Sequence, residues 1–217
     1  MTRIYALSAK LALLCALAAC TSIKVEDSGR DPIPKDERPP LDDSGEGEGE
    51  GEGEGEGEGE PDQAEACHPD VEGWSDRWAA LEEDVLTLVN QERARGADCG
   101  SYGTYPAAGP LEMEANLRCA ARYHSLWMAQ TGNFEHESPG GDLGDDPWER
   151  IASTDFSGTA IGENIAAGYS TARSVVEGWM DSDGHCSNIM NGSATLIGVG
   201  YYEGGSYGTY WTQDFGS

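Results

Sequence analysis

The sequence predicts an α+β fold, with helices packed on both faces of a small antiparallel sheet. Three observations predict it. Apolar residues recur at helical spacing through the first half of the globular region. Two β-branched and aromatic runs gather at the end, Leu196 to Glu203 and Tyr207 to Phe215, around Gly204-Gly205-Ser206. Helices that precede strands, rather than alternate with them, argue against a parallel βαβ arrangement.

Each element has its own signal. Trp74, Trp78, Leu81, Val85 and Leu88 form one stripe on a helix that runs to Arg95, with Gly96 as its stop. Residues 97–110 form a loop carrying three glycines and two prolines. A second helix runs from about Glu114 to Thr131 before Gly132; Leu117, Ala121, His124 and Met128 make its apolar face. A histidine on such a face reads first as a hydrogen-bonded core residue. Residues 133–144 form a loop. Pro147 opens a short helix, in its favoured first position. Ala160 to Ala167 reads as a short buried strand. Ser170 or Thr171 caps a helix whose inward face is Ala172, Val175, Val176 and Trp179. Ser182 or Asp183 caps a last short helix, Gly184 to Met190.

The chain is organised in three parts. Residues 1–19 read as a signal peptide: basic residues at Arg3 and Lys10 precede an apolar run too short to span a bilayer. The run ends Leu17-Ala18-Ala19-Cys20, which resembles a bacterial lipobox with Cys20 as the lipidated residue; plain cleavage after Ala19 is the alternative. Thr21 follows, not the aspartate that favours inner-membrane retention, so the outer membrane or cell surface is expected. Residues 20–66 read as an acidic tether, with an uninterrupted Gly-Glu repeat of sixteen residues from Gly45 to Glu60. It has no apolar groups to offset the entropy of ordering. Residues 67–217 form the globular domain.

The net charge is −27. Residues 61–217 alone carry 25 acids against 7 arginines and no lysine, a net of −18. Such a surface repels phosphate backbones and anionic headgroups, which excludes nucleic acid as a partner and leaves membrane attachment to acyl chains. No oligomerisation signal is visible, so a monomer is expected. Four cysteines, Cys67, Cys99, Cys119 and Cys186, remain in the exported domain. Three pairings are open; Cys99–Cys119 with Cys67–Cys186 is the favoured one, and free buried thiols are the alternative.

Several motifs fail on context. Gly204-Gly205-Ser206-Tyr207-Gly208 fits G-x-S-x-G but falls in a hairpin rather than a strand-to-helix turn. Asp181-Ser182-Asp183-Gly184 begins like a calcium loop but lacks the later ligands. His136, Glu163 and His185 are more coherent. Glu163 lies in an apolar segment, where a carboxylate needs a partner. His185 falls in the first turn of its helix, whose positive end keeps the imidazole neutral. Two imidazoles and a carboxylate suit Zn²⁺ or another divalent cation with an open position. The plain counterpart is a structural His–Glu hydrogen-bond cluster.

A resemblance now enters. Phe134-x-His136-x-Ser138-Pro139, Pro147-Trp148-x-Arg150-Ile151, Gly162-Glu163-Asn164-Ile165-Ala166, Trp179-Met180-x-Ser182-x-Gly184-His185-x-x-Asn188-Ile189, Ile197-Gly198-Val199-Gly200 and Tyr210-Trp211-x-Gln213-Asp214-Phe215-Gly216 follow in order. Together with Asn90-x-Glu92-Arg93-Ala94, they resemble the bacterial CAP superfamily, the SCP/allergen-V5/PR-1 group. The resemblance covers about residues 80–216. It implies a three-layer α-β-α sandwich with a cleft, and a tetrad of two histidines and two acids. His136, Glu163 and His185 match three tetrad positions. The fourth aligns near Ser182, where only Asp181 and Asp183 flank it. The resemblance further implies a metal held by His136 and His185, and in some members lipid ligands. The expectation is thus a surface-anchored lipoprotein that binds a lipid, cell-wall or protein ligand in a cleft of His136, Glu163, His185 and Ser182. The alternative is a metal-dependent hydrolase or protease with Glu163 as general base.

Overall fold

The structure, a computed structural model, describes residues 67–217. The residues expected to form the signal peptide, the lipidated Cys20 and the Gly-Glu tether lie outside the described residues. Helix α1 spans Asp76–Arg95 and α2 spans Ala115–Thr131, each ending at the expected glycine. Helix α3 spans Pro147–Ala152, α4 Ala172–Met180 and α5 Asp183–Ile189. The caps are chemical. Asp146 accepts from the Glu149 N–H, and Thr171 from the Ser174 N–H.

Six strands are described. Two short ones, β1 (Ala97–Asp98) and β2 (Thr104–Tyr105), pair with each other in the loop after α1. The main sheet has β3 (Glu112–Met113), β4 (Ala160–Ala167), β5 (Leu196–Gly204) and β6 (Gly208–Gly216), in the order β3-β5-β6-β4. The hairpin β5–β6 and the pair β4–β6 are antiparallel, as expected. Strand β3 is a difference: it pairs parallel to β5. It holds two residues directly before α2, too few to show an alternating pattern.

Two cores lie on opposite faces of this sheet. Val85, Leu88 and Val89 of α1 pack with Val175, Val176 and Trp179 of α4, Ile189 of α5, and Val199 and Trp211 of the sheet. Tyr123, Leu126 and Met128 of α2 pack on Ile165 and Tyr210. The close fit of α2 comes from Gly198 and Gly200, whose faces it covers. A Cβ on Gly198 would meet backbone atoms of Leu117 and Arg118, and one on Gly200 those of Ala121 and Arg122, at 2.0 to 2.4 Å. The sheet therefore has no room for side chains there, and α2 rests directly on the strand.

The cysteines pair as Cys67–Cys119 and Cys99–Cys186. This corrects the expected Cys99–Cys119 and Cys67–Cys186. Cys99 sits in the core of α1, α4 and α5, whereas Cys119 sits in the core of α2 on the other face. A Cys99–Cys119 bridge would have to cross the sheet. The observed bridges each staple one layer: Cys67 pins the entering segment to α2, and Cys186 ties α5 to the loop after α1.

Candidate functional site

Alternation along β4 divides its polar residues between the layers. Ile165 belongs to the α2 core and Ala166 to the other. By the same alternation Glu163 faces the α2 layer and Asn164 the α5 layer. Asn164 donates to the Gln213 side chain (3.1 Å) and to the His185 carbonyl (3.2 Å). Asn188 donates to the Asn164 side chain (2.8 Å) and to the Glu163 carbonyl (3.3 Å). These amides fasten α5, and with it His185, to β4.

On the other side Glu163 is almost wholly buried and has both oxygens engaged. Its Oε1 accepts from His136 Nδ1 at 2.7 Å, and its Oε2 from Arg150 at 2.5 Å. Arg150 is fully buried and also donates to Ser138 Oγ at 2.7 Å; Ser138 in turn donates to the Gly144 carbonyl. The loop bearing His136, the short α3 and strand β4 thus meet in one network. His136 holds its Nδ1 against the carboxylate and has a side chain 45% exposed, so its Nε2 is presented outward. Burial alone would raise the Glu163 pKa. The His136 hydrogen bond, with His124 and Arg150 nearby, overrides it and holds the carboxyl below its ordinary value.

Two more buried groups complete the cluster. Asp214 stands directly across the β4–β6 ladder from Glu163, and neither of its carboxyl oxygens has a hydrogen-bond partner. Burial, and then the Glu163 charge, push Asp214 well above the carboxylate range. The two shifts run in opposite directions, so Glu163 gives up its proton before Asp214 does. His124 is fully buried, as its place on the apolar face of α2 predicts. Its Nε2 donates to the Glu135 carbonyl at 3.0 Å and lies 4.0 Å from Glu163 Oε1. Burial lowers its pKa to about 3, so the ring is neutral at ordinary pH.

An open cleft of about 530 Å³ adjoins the network. His136, Glu163, Asn188, Trp148, Glu137 and Asp146 line it, with Pro147, Ile161 and Gly162. His185 and Ser182 stand outside this lining. His185 is half-buried; burial, and then the His136 charge, lower its pKa. The direction agrees with the expected neutral imidazole, although burial rather than the helix end is the leading cause. Ser182 is the N-cap residue of α5, with its carbonyl accepting from Cys186 N–H. Ligand atoms of His136, Glu163 and His185 do not gather within 4.8 Å. Among the described residues the set of three that does is His68, Asp70 and Asp142. There the His68 Nδ1 lone pair already caps the Asp70 N–H at 3.2 Å.

Sequence reasoning reached Glu163, His136 and His185 but missed Arg150 and Asp214 as partners of Glu163. Both stood within the quoted motifs. The signal that finds Asp214 is the β4–β6 register, which no local pattern encodes.

Comparison with known proteins bears on the family and the fold. The family model for CAP, the cysteine-rich secretory protein family, matches residues 86–215. The uncharacterized protein YkwD of Bacillus subtilis is 37% identical over 137 residues, covering 63% of this chain and 47% of that protein. The uncharacterized membrane protein YlbC of the same organism is 30% identical over 145 residues, covering 66% and 36%. The chain thus spans less than half the length of these relatives. A crystal structure of an extracellular protein containing a SCP domain, from Bacillus anthracis, is 28% identical with a TM-score of 0.53, covering 63% of this chain and 40% of that one. With the family's motifs carried on a three-layer sandwich, and its profile spanning most of the described residues, the chain belongs to the CAP family.

Proposed function

We propose that the protein is an extracytoplasmic CAP module that binds a ligand in the cleft beside His136. In this reading Cys20 carries the lipid anchor, and the acidic tether spaces the domain from an outer-membrane or cell surface. The motivation is the lipobox-like sequence, the Gly-Glu repeat, and a relative described as extracellular. No described helix is long and apolar enough to cross a membrane.

One observation carries the choice of binding over hydrolysis. Both oxygens of Glu163 are occupied, one by His136 and one by Arg150, and the carboxyl is held ionised. A general base works best with its pKa near the operating pH, and Glu163 is held below even its ordinary value. Its hydrogen bonds instead fix His136, so that Nε2 faces the cleft.

In this reading a divalent cation such as Zn²⁺ has the two histidines as its protein ligands, since Glu163 does not gather with them as a third. His136 and His185 would hold it, and Glu163 would support His136 from behind rather than ligate. When bound, such an ion supplies Lewis acidity and an attachment point for anionic or neutral donors.

The test compares the full chain with a His136→Ala/His185→Ala variant by isothermal titration. The titrants are Zn²⁺, phospholipid vesicles and soluble cell-wall fragments. Binding lost in the variant, at an unchanged unfolding midpoint, supports the reading. A variant that keeps the parent's affinity for every titrant overturns it.

A further inference from the structure

We propose that the cleft beside His136 receives basic side chains of an extended peptide, a lysine or arginine seated on Trp148 and paired with Glu137 and Asp146. This rests on the ligand-binding reading above and gives that ligand its chemistry.

Trp148 is the first observation. It is 50% exposed, whereas Trp74, Trp127, Trp179 and Trp211 are each 8% exposed or less. Its indole stands in the first turn of α3 and lines the cleft. An exposed indole face is the best aromatic partner for a cation.

The carboxylates are the second. Asp146 is fixed by its own cap bond, with Oδ1 accepting from Glu149 N–H at 2.9 Å. Its other oxygen is left for a ligand, already held in place by the helix start. Glu137 is exposed, lines the same cleft, and has no ion pair among the described residues. Arg150, on the same short helix as Trp148, is fully buried and committed to Glu163 and Ser138. The mouth of the cleft therefore keeps its negative charge.

Charge complementarity selects the occupant. An anionic ligand would meet these carboxylates and a domain surface of net −18 over residues 61–217. A purely apolar ligand would desolvate the carboxylates without pairing them. A lysine or arginine satisfies both parts. Its stem lies along Ile161 and Pro147, and its charged head reaches the indole and the acids.

The experiment titrates the full chain with a labelled hexapeptide of alternating glycine and arginine. The comparison ligands are the same peptide with glutamate for arginine and a neutral N-acetylglucosamine trimer. The basic peptide is expected to bind, with affinity falling as NaCl rises. Trp148→Ala should weaken it roughly fivefold, and Trp148→Phe less. Glu137→Gln with Asp146→Asn should weaken it about tenfold, as asparagine keeps the cap. Glu112→Gln with Glu177→Gln, two exposed acids elsewhere, should change nothing. Equal weakening by that remote pair reduces binding to overall surface charge and overturns the proposal, as does a basic peptide that fails to bind. If only the neutral trimer binds, and Trp148→Ala abolishes it, the cleft remains a ligand site and the basic peptide is wrong. If His136→Ala/His185→Ala leaves every ligand's affinity unchanged, the cleft reading fails as well.

Discussion

Two buried glutamates in this domain meet opposite fates. Glu82 of α1 is fully buried and ringed by donors: Trp74 Nε1 at 2.9 Å, Arg118 Nε at 2.8 Å, Arg122 Nη at 2.8 Å and the Tyr201 N–H at 3.1 Å. It ties α1 to α2 and accepts from an amide of β5 beyond the reach of β3, which pairs only with Leu196 and Ile197. Glu163 is nearly as buried, but it has one permanent cation, Arg150, and one titratable partner, the half-exposed His136. Across from it stands a second acid, Asp214, whose carboxyl accepts from no donor. A carboxylate surrounded by permanently charged donors fixes structure. One that leans on an exposed imidazole beside a cleft leaves something for a ligand to change.

The largest effect should come from breaking the first hub. Glu82→Ala removes the buried carboxylate that Arg118 and Arg122 share, although Arg118 keeps Glu83 at 2.9 Å. A loss of about 3–5 kcal/mol in urea unfolding is expected. Glu163→Gln should cost less, because the amide oxygen still accepts from Arg150 while its NH₂ can donate to His136 Nδ1 in the other tautomer. Equal losses in the two variants would erase the contrast between them.

Acid should then reach the second hub. His124 has its pKa lowered to about 3 by burial. The unfolded chain takes up its proton below about pH 6.5, while the folded one refuses it. Stability is thus full above that pH and declines by about 1.4 kcal/mol per pH unit as pH falls toward the folded value. Glu163, also lowered, adds a decline of the same sign at lower pH. His124→Gln keeps a donor for the Glu135 carbonyl and cannot titrate, so its unfolding free energy should fall less steeply from pH 6.5 to 5. An unchanged slope in this variant would remove His124 from the account.

How much of this was legible depended on the range of the signal. The long helices, their glycine stops and the terminal hairpin follow from patterns within twenty residues. Strand β3, at two residues, offers no such pattern. The disulfides were misread because loop order along the chain does not say on which face of the sheet a cysteine lands. Glu82 stands four residues after Trp78 and three before Val85, on the buried face of α1, but Glu82-Glu83-Asp84 looks like a solvated run. Its burial required Arg118 and Arg122, a helix away. Glu163 was found because an acid in an apolar strand demands a partner. Asp214 was not, because its partner is set by register.

Asp214 gives the smallest effect in acid and the sharpest sign. Its folded pKa is raised, so the unfolded chain releases a proton above about pH 4 that the folded chain retains. Its contribution is therefore most favourable in acid and is lost as pH rises. Asp214→Asn mimics the protonated acid and removes that dependence. At pH 4 variant and parent should differ by less than about 1 kcal/mol. By pH 7.5 the variant should have gained on the parent, by roughly 1.4 kcal/mol per pH unit over the interval in which the folded chain still keeps the proton. Urea unfolding at the two pH values measures the gap. A gap that stays constant would mean that Asp214 ionises as an ordinary carboxylate, and that Glu163 faces a charged neighbour rather than a neutral one.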